Sequence, residues 1–126
     1  MKISVLNGRF AVCRMAPDSA LPDWWQSGTF CSATRTAHEL SVVCEEASVP
    51  AGVLTESGWA ALALQGPIPF EMTGVLARLA GVLAAAGLSV FAIATYDTDY
   101  VLVKAAGLES AIQALRQSGY TVEVDE

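Results

Sequence analysis

Basic residues are scarce in this sequence: 7 lysines and arginines stand against 13 aspartates and glutamates, a net charge of −6 over 126 residues. Binding a phosphate backbone needs a basic face that displaces counterions, so this balance weighs against nucleic acid as a partner. Long apolar runs are missing too. No window reaches the roughly 18 uninterrupted apolar residues that would span a membrane. The most apolar stretch, 74–95, is broken by Arg78, Ser89 and three glycines, and reads as helix, turn and strand. The opening MKISVLNGRF has neither a long apolar stretch nor a small-residue cleavage site. No signal peptide is read there, and the cytoplasm is the expected compartment.

Histidine occurs once, at His38, and the three cysteines, Cys13, Cys31 and Cys44, show no C-x-x-C spacing. No metal site is expected from so few ligands. Each cysteine sits among β-forming residues and reads as a small buried hydrophobe with a reduced thiol. A Walker lysine and a G-x-G-x-x-G loop are both absent, so a nucleotide phosphate site is not indicated and no cofactor is expected.

What the sequence has is apolar content: 53% hydrophobic residues and a mean hydropathy of +0.44. That fits a core-rich globule with surface to spare for a buried interface. The length allows one domain or two very small ones.

The second half is the more regular. WAALAL, from Trp59, reads as a buried strand ending at Gln65-Gly66-Pro67. After Pro69, Val75, Leu76, Leu79, Val82, Leu83 and Ala86 recur at helical spacing, with Gly87 placed for a left-handed C-terminal cap. LSVFAIAT alternates as a strand, Tyr96-Asp97-Thr98 turns, and 100–104 forms the next strand. Leu108, Ala111, Ile112 and Leu115 mark a second helix, stopped by Gly119, before a last strand at 120–124 and an acidic end. The order β-α-β-β-α-β predicts an α+β, ferredoxin-like unit over 57–126, an antiparallel sheet with two helices on one face.

The first half is strand-rich. Residues 2–6 and 9–15 flank Asn7-Gly8, the strongest short hairpin dipeptide. Pro22-Asp23-Trp24-Trp25-Gln26 reads as one helical turn, 29–34 and 39–44 as strands, and 45–58 as a linker. Residues 1–56 then form a trimmed counterpart of the second unit with weaker helices. Trp24-Trp25 reads either as core of this half or as an exposed aromatic contact.

Three groups could carry chemistry. His38 lies near Cys31 and Cys44 in sequence, and a Cys-His pair can generate a thiolate nucleophile, but no local signal marks an oxyanion hole. Asp97 and Asp99 would share one side of an extended chain, as turn formers on a solvated hairpin or as carboxylates that meet a cation. The stretch GPIPFEMTGVL leads from a strand into a helix start whose first N–H groups lack partners, a place that favours an anion or a tight helix–strand contact. Within one copy this loop and the 95–98 turn need not be neighbours; two copies side by side could bring them together.

FEMTGVLARLAGVLAAAGLSVFAI resembles the ACT-domain signature, with Glu71 and Gly74 at its acidic and glycine positions and Gly87-Leu88-Ser89-Val90 at its second element. Thr73 stands where a proline is usual and Ser89 where an asparagine is usual. Together with ELSVVCEE, ESGWAALALQGP and TYDTDYVLVK, the chain is similar to small bacterial stand-alone tandem ACT proteins, and through them to the ACT pairs of the animal cytosolic arginine sensors (the CASTOR family). The resemblance implies two tandem ferredoxin-like ACT units. It also implies a non-enzymatic regulatory or sensor protein that binds a small amino acid at an interface between such units. It carries the ligand contacts onto Glu71, Thr73, Gly74 and Val75 in the loop and onto Thr95, Tyr96 and Asp99 in the hairpin. Asp97 is left as turn chemistry. A homodimer and an unidentified protein partner are the expected associations, and a ligand-free dimerisation module is the alternative reading.

Overall fold

Helix α1 (Val75–Ala85) forms where the apolar spacing places it, burying Leu79 and Leu83. It ends on Gly87, whose φ of +80° is open to glycine at little strain. There the Gly87 N–H donates to the Ala84 carbonyl and the Leu88 N–H to the Leu83 carbonyl, the paired bonds of a Schellman cap. Helix α2 (Leu108–Gln117) turns Ala111 and Leu115 inward. The structure, a computed structural model, describes residues 1–26, 28–69 and 71–125, so Phe70 of the FEMTGVL stretch and Glu126 of the acidic end lie outside it.

The remaining regular elements are strands: β1 (Lys2–Val5), β2 (Phe10–Met15), β3 (Ser32–Arg35), β4 (Leu40–Glu45), β5 (Leu54–Leu64), β6 (Phe91–Ala94), β7 (Asp99–Lys104) and β8 (Thr121–Val124). They group into two units, one made of Met1–Asn7 with the chain from Ala60 onward, the other of Gly8–Trp59.

In the first unit the neighbours run β6-β7-β5-β1-β8. β1 lies antiparallel to β5, with Ile3 opposite Leu64, and parallel to β8, with Ile3 opposite Val122. Side chains on a strand alternate faces, so Ile3 and Val5, Leu62 and Leu64, and Val101 and Val103 reach one side together. They form one core with Leu79, Leu83, Ala111 and Leu115 of the helices. This is the mixed α+β, ferredoxin-like arrangement that the spacing implied, with one strand more than expected.

That strand comes from the hairpin that does not form. The expectation that Asn7-Gly8 folds 2–6 back onto 9–15 is overturned, because β1 takes β5 and β8 as partners and β2 takes β4 and β5. Burial decides it: Ile3 and Val5 go into the helix-covered core, which outweighs a two-residue turn preference. The presumed linker is also shorter, since β5 starts at Leu54. Where the sequence suggested a boundary at 56/57, the compact units divide at Asn7/Gly8 and Trp59/Ala60.

The second unit carries β2, β3, β4 and the first part of β5, in the order β3-β4-β2-β5, all antiparallel. Its helices are reduced to 3₁₀ turns at Asp23–Gln26 and Glu46–Ser48 among the described residues. Ala11, Cys13, Leu40, Val42 and Cys44 make its core, and Trp24 and Trp25 pack against it. The core reading of the two tryptophans therefore holds. Among the described residues no helix is long and apolar enough to cross a membrane.

Candidate functional site

In the ferredoxin-like order the chain leaves β5, crosses a loop, and descends α1 before climbing β6 to the next turn. The end of β5, the start of α1 and the β6–β7 turn therefore meet at one end of the unit. Hydrogen bonds join them. The Ile68 N–H donates to the Asp97 carbonyl at 2.7 Å. The Thr98 hydroxyl donates to the Leu64 carbonyl, also at 2.7 Å. Gly66 sits tightly beneath the turn, where a Cβ would come within 2.9 Å of the Asp97 oxygen and 3.1 Å of Thr98 Cβ.

The turn itself is closed by threonines. The Thr95 N–H and hydroxyl both donate to the Thr98 carbonyl at 2.8 Å, and the Thr98 N–H donates to Thr95 Oγ1 at 3.3 Å. Asp97 contributes its backbone oxygen, not its carboxylate. Asp97 lies in the turn as expected, while the side-chain bonds that close it come from Thr95 among the described residues.

Between loop and turn lies a cavity of about 290 Å³, bounded by Ile68, Pro69, Met72, the run Gly74–Ala77 and the run Ala94–Asp99. Small-molecule sites span about 300–1,000 Å³, so this one suits a molecule of amino-acid size. One wall is apolar, made by Ile68, Pro69, Met72, Val75 and Leu76. A second is the open N-terminus of α1. Its N-cap is Gly74, at φ +75°, which has no side chain to cap the helix. The first bond back to that cap is the Arg78 N–H to the Gly74 carbonyl at 2.9 Å. The N–H groups of Val75, Leu76 and Ala77 find no acceptor among the described residues, and they carry the positive end of the helix dipole. The third wall is acidic: Asp97, exposed, and Asp99, half-buried, pair with no cation among the described residues.

Of the residues singled out in the sequence, Gly74, Val75, Thr95, Tyr96 and Asp99 line this cavity together. Glu71 does not; it borders a shallower hollow of about 310 Å³ shared with Pro67, Tyr96 and Asp97. Thr73 is exposed and borders neither. The loop and the turn, left apart within one copy by the sequence reading, adjoin in this unit, joined by the Ile68–Asp97 and Thr98–Leu64 bonds at the end where β5 stops and α1 starts. Asp97, Thr98 and Met72 were missed as cavity residues. For Asp97 the period-two spacing to Asp99 was the available signal; for Thr98 there was none.

The other candidates come apart. His38 is exposed in the turn between β3 and β4, where its N–H donates to Thr36 Oγ1 at 3.1 Å. Burial pushes the Cys44 thiol up from 9.0 to about 12, with the neighbouring Cys13 adding to the shift, which is the opposite of what a thiolate nucleophile requires. All three cysteines are free.

Residues 54–117 match a family model described as ACT domain, and 8–52 match a model described as an N-terminal domain. Over 55 residues the chain is 42% identical to the cytosolic arginine sensor for mTORC1 subunit 1 of Bos taurus, and to that of Homo sapiens. Those matches cover 42% of this chain and 17% of each sensor, so the chain spans less than a fifth of the curated relatives it matches. A solved protein from Agrobacterium tumefaciens shares 33% identity at a TM-score of 0.93, over 99% of this chain and 93% of that one. The regulatory subunit of aspartate kinase from Thermus thermophilus, 14% identical, shares the fold at a TM-score of 0.61 over 89% of this chain and 93% of that one.

Proposed function

The chain belongs to the ACT-domain family, a family of regulatory modules, and on that premise we propose that it is a non-enzymatic sensor that binds a small amino acid in the cavity between α1 and the 95–98 turn. The observation that carries the reading is the pairing of opposite polarities across one small cavity. The free N–H groups at the start of α1 would hold the ligand's carboxylate. Asp99, with Asp97 beside it, would take the ammonium or a cationic side chain through charge-assisted hydrogen bonds. The apolar wall from Ile68 to Leu76 would cover the aliphatic part. The likeness to the arginine sensors supports a cationic amino acid as the first to try.

Regulation then passes through a protein partner, since a ligand shifts only an equilibrium between states that it binds unequally. A homodimer in the cytoplasm belongs to the same proposal. The test is a thermal-shift screen of the intact chain against the standard L-amino acids at millimolar concentration. A true ligand at about a hundred times its Kd stabilises by about 2.7 kcal/mol. Unmoved melting temperatures across the whole set would overturn the sensor reading and leave the ligand-free dimerisation module.

A further inference from the structure

The two carboxylates at the cavity are held in different ways. Asp99 is fixed by the sheet, paired with Ala94 in the β6–β7 register. Asp97 lies in the turn, outside any strand, where no ladder sets its position. Between them stands Thr98, whose hydroxyl is committed to the Leu64 carbonyl at 2.7 Å. That carbonyl belongs to the last residue of β5, a strand paired on both sides in the unit's core. The Thr98 bond therefore ties the turn to a strand that is itself held by ladders on both sides. The Asp97 carbonyl, in turn, accepts the Ile68 N–H, so the same tie fixes the apolar wall against the acidic one. Gly66 allows the approach, because any Cβ there would press on the Asp97 oxygen and on Thr98 itself.

We infer that Thr98 is the positioning residue of this site, setting the spacing between the Asp97 and Asp99 carboxylates by anchoring the turn to the end of β5. The inference rests on the binding reading above and adds to it a residue whose role is exercised through its two neighbours. A binding site is only as sharp as the shell that holds its charged groups. For Asp97 that shell includes the Thr98 bond to β5, beside the Thr95 bonds that close the turn and the Ile68 bond to its own carbonyl.

Thr98→Val keeps the shape of the side chain and removes the hydroxyl; Thr98→Ser keeps the hydroxyl and removes a methyl. Each is screened, like the wild type, against the standard L-amino acids at millimolar concentration, and titrated by calorimetry below the melting temperature of either variant. The amino acid that stabilises the wild type most should bind Thr98→Val about tenfold more weakly, the range of one lost hydrogen bond. It should bind Thr98→Ser within about twofold of the wild type. The Ile68 amide should exchange faster with solvent in unliganded Thr98→Val than in Thr98→Ser. If Thr98→Val fails to fold, Thr98→Ala deletes the same hydroxyl without putting a methyl in its place. Wild-type binding with equal affinity in Thr98→Val overturns the positioning role alone. Equal weakening in Thr98→Ser and Thr98→Val overturns it too, since that pattern reports general damage to the turn. Absence of any shift with the wild type overturns the binding reading, and this inference with it.

Discussion

The backbone N–H of Ile68 donates to the carbonyl of Asp97 at 2.7 Å, so the loop that precedes α1 is tied at one point to the turn that carries the acidic pair. Two segments about thirty residues apart in sequence thereby face each other across a cavity small enough for an amino acid. One presents backbone donors and the other carboxylates.

The acidic pair should divide into a main and a supporting contact. Asp99 is half-buried and held in the β7 ladder, whereas Asp97 is exposed. Asp99→Ala should abolish the thermal shift given by the best amino acid while leaving the unliganded melt nearly unchanged. Asp97→Ala should weaken binding by less than tenfold, because an exposed carboxylate is screened by solvent. Parallel titrations of the two variants check the order; a larger effect from Asp97 would reverse the assignment.

The core of the first unit makes a separate claim about stability. Leu83 is fully buried and Leu54 is 69% exposed. Leu83→Ala should lower the unfolding free energy by about 2–5 kcal/mol, and Leu54→Ala by no more than about 0.5 kcal/mol. Urea denaturation followed by circular dichroism measures both.

The placement of β1 gives a test by truncation. A fragment of residues 57–126 contains the whole β-α-β-β-α-β pattern but lacks Ile3 and Val5, which are 0% and 2% exposed in the core. Each contributes about 1.5–3 kcal/mol by burial, out of a total stability of about 5–15 kcal/mol. The fragment also leaves β5 and β8 without the strand that separates them. It should lack a cooperative thermal transition. A sharp melt at the full chain's temperature would mean that β1 is dispensable.

Cys44 should be silent to thiol reagents near neutral pH, with labelling confined to the half-buried Cys31. Its folded pKa, about 12, lies above the unfolded value near 9. The folded chain thus holds a proton that the unfolded chain loses first. The stability tied to this group is complete below about pH 9 and declines as the pH rises towards 12. Urea midpoints compared between wild type and Cys44→Ala should show a shallower alkaline decline in the variant; identical slopes would assign the decline to other groups.

What the sequence made legible was local. The helical spacing of Leu79 and Leu83, the glycine at 87 and the alternation through Phe91 and Ile93 each depend on near neighbours, and the corresponding elements are present. What it hid was long-range. Asn7-Gly8 looks like a hairpin because turn propensity is local, whereas the pairing of Ile3 with Leu64 joins residues about sixty positions apart and leaves no pattern at either end. The start of β5 was hidden by Ser57 and Gly58, which break a strand pattern without breaking the strand. At the site the residue types were readable, while the contact that assembles them, from Thr98 to Leu64, was not.

The most direct test of the central claim is a calorimetric titration of the intact chain with L-arginine and L-lysine, followed by the remaining standard amino acids, beside Asp99→Ala under the same conditions. The account expects saturable binding of at least one amino acid by the wild type and none by the variant. No heat with any amino acid, or the same isotherm from both proteins, would contradict it.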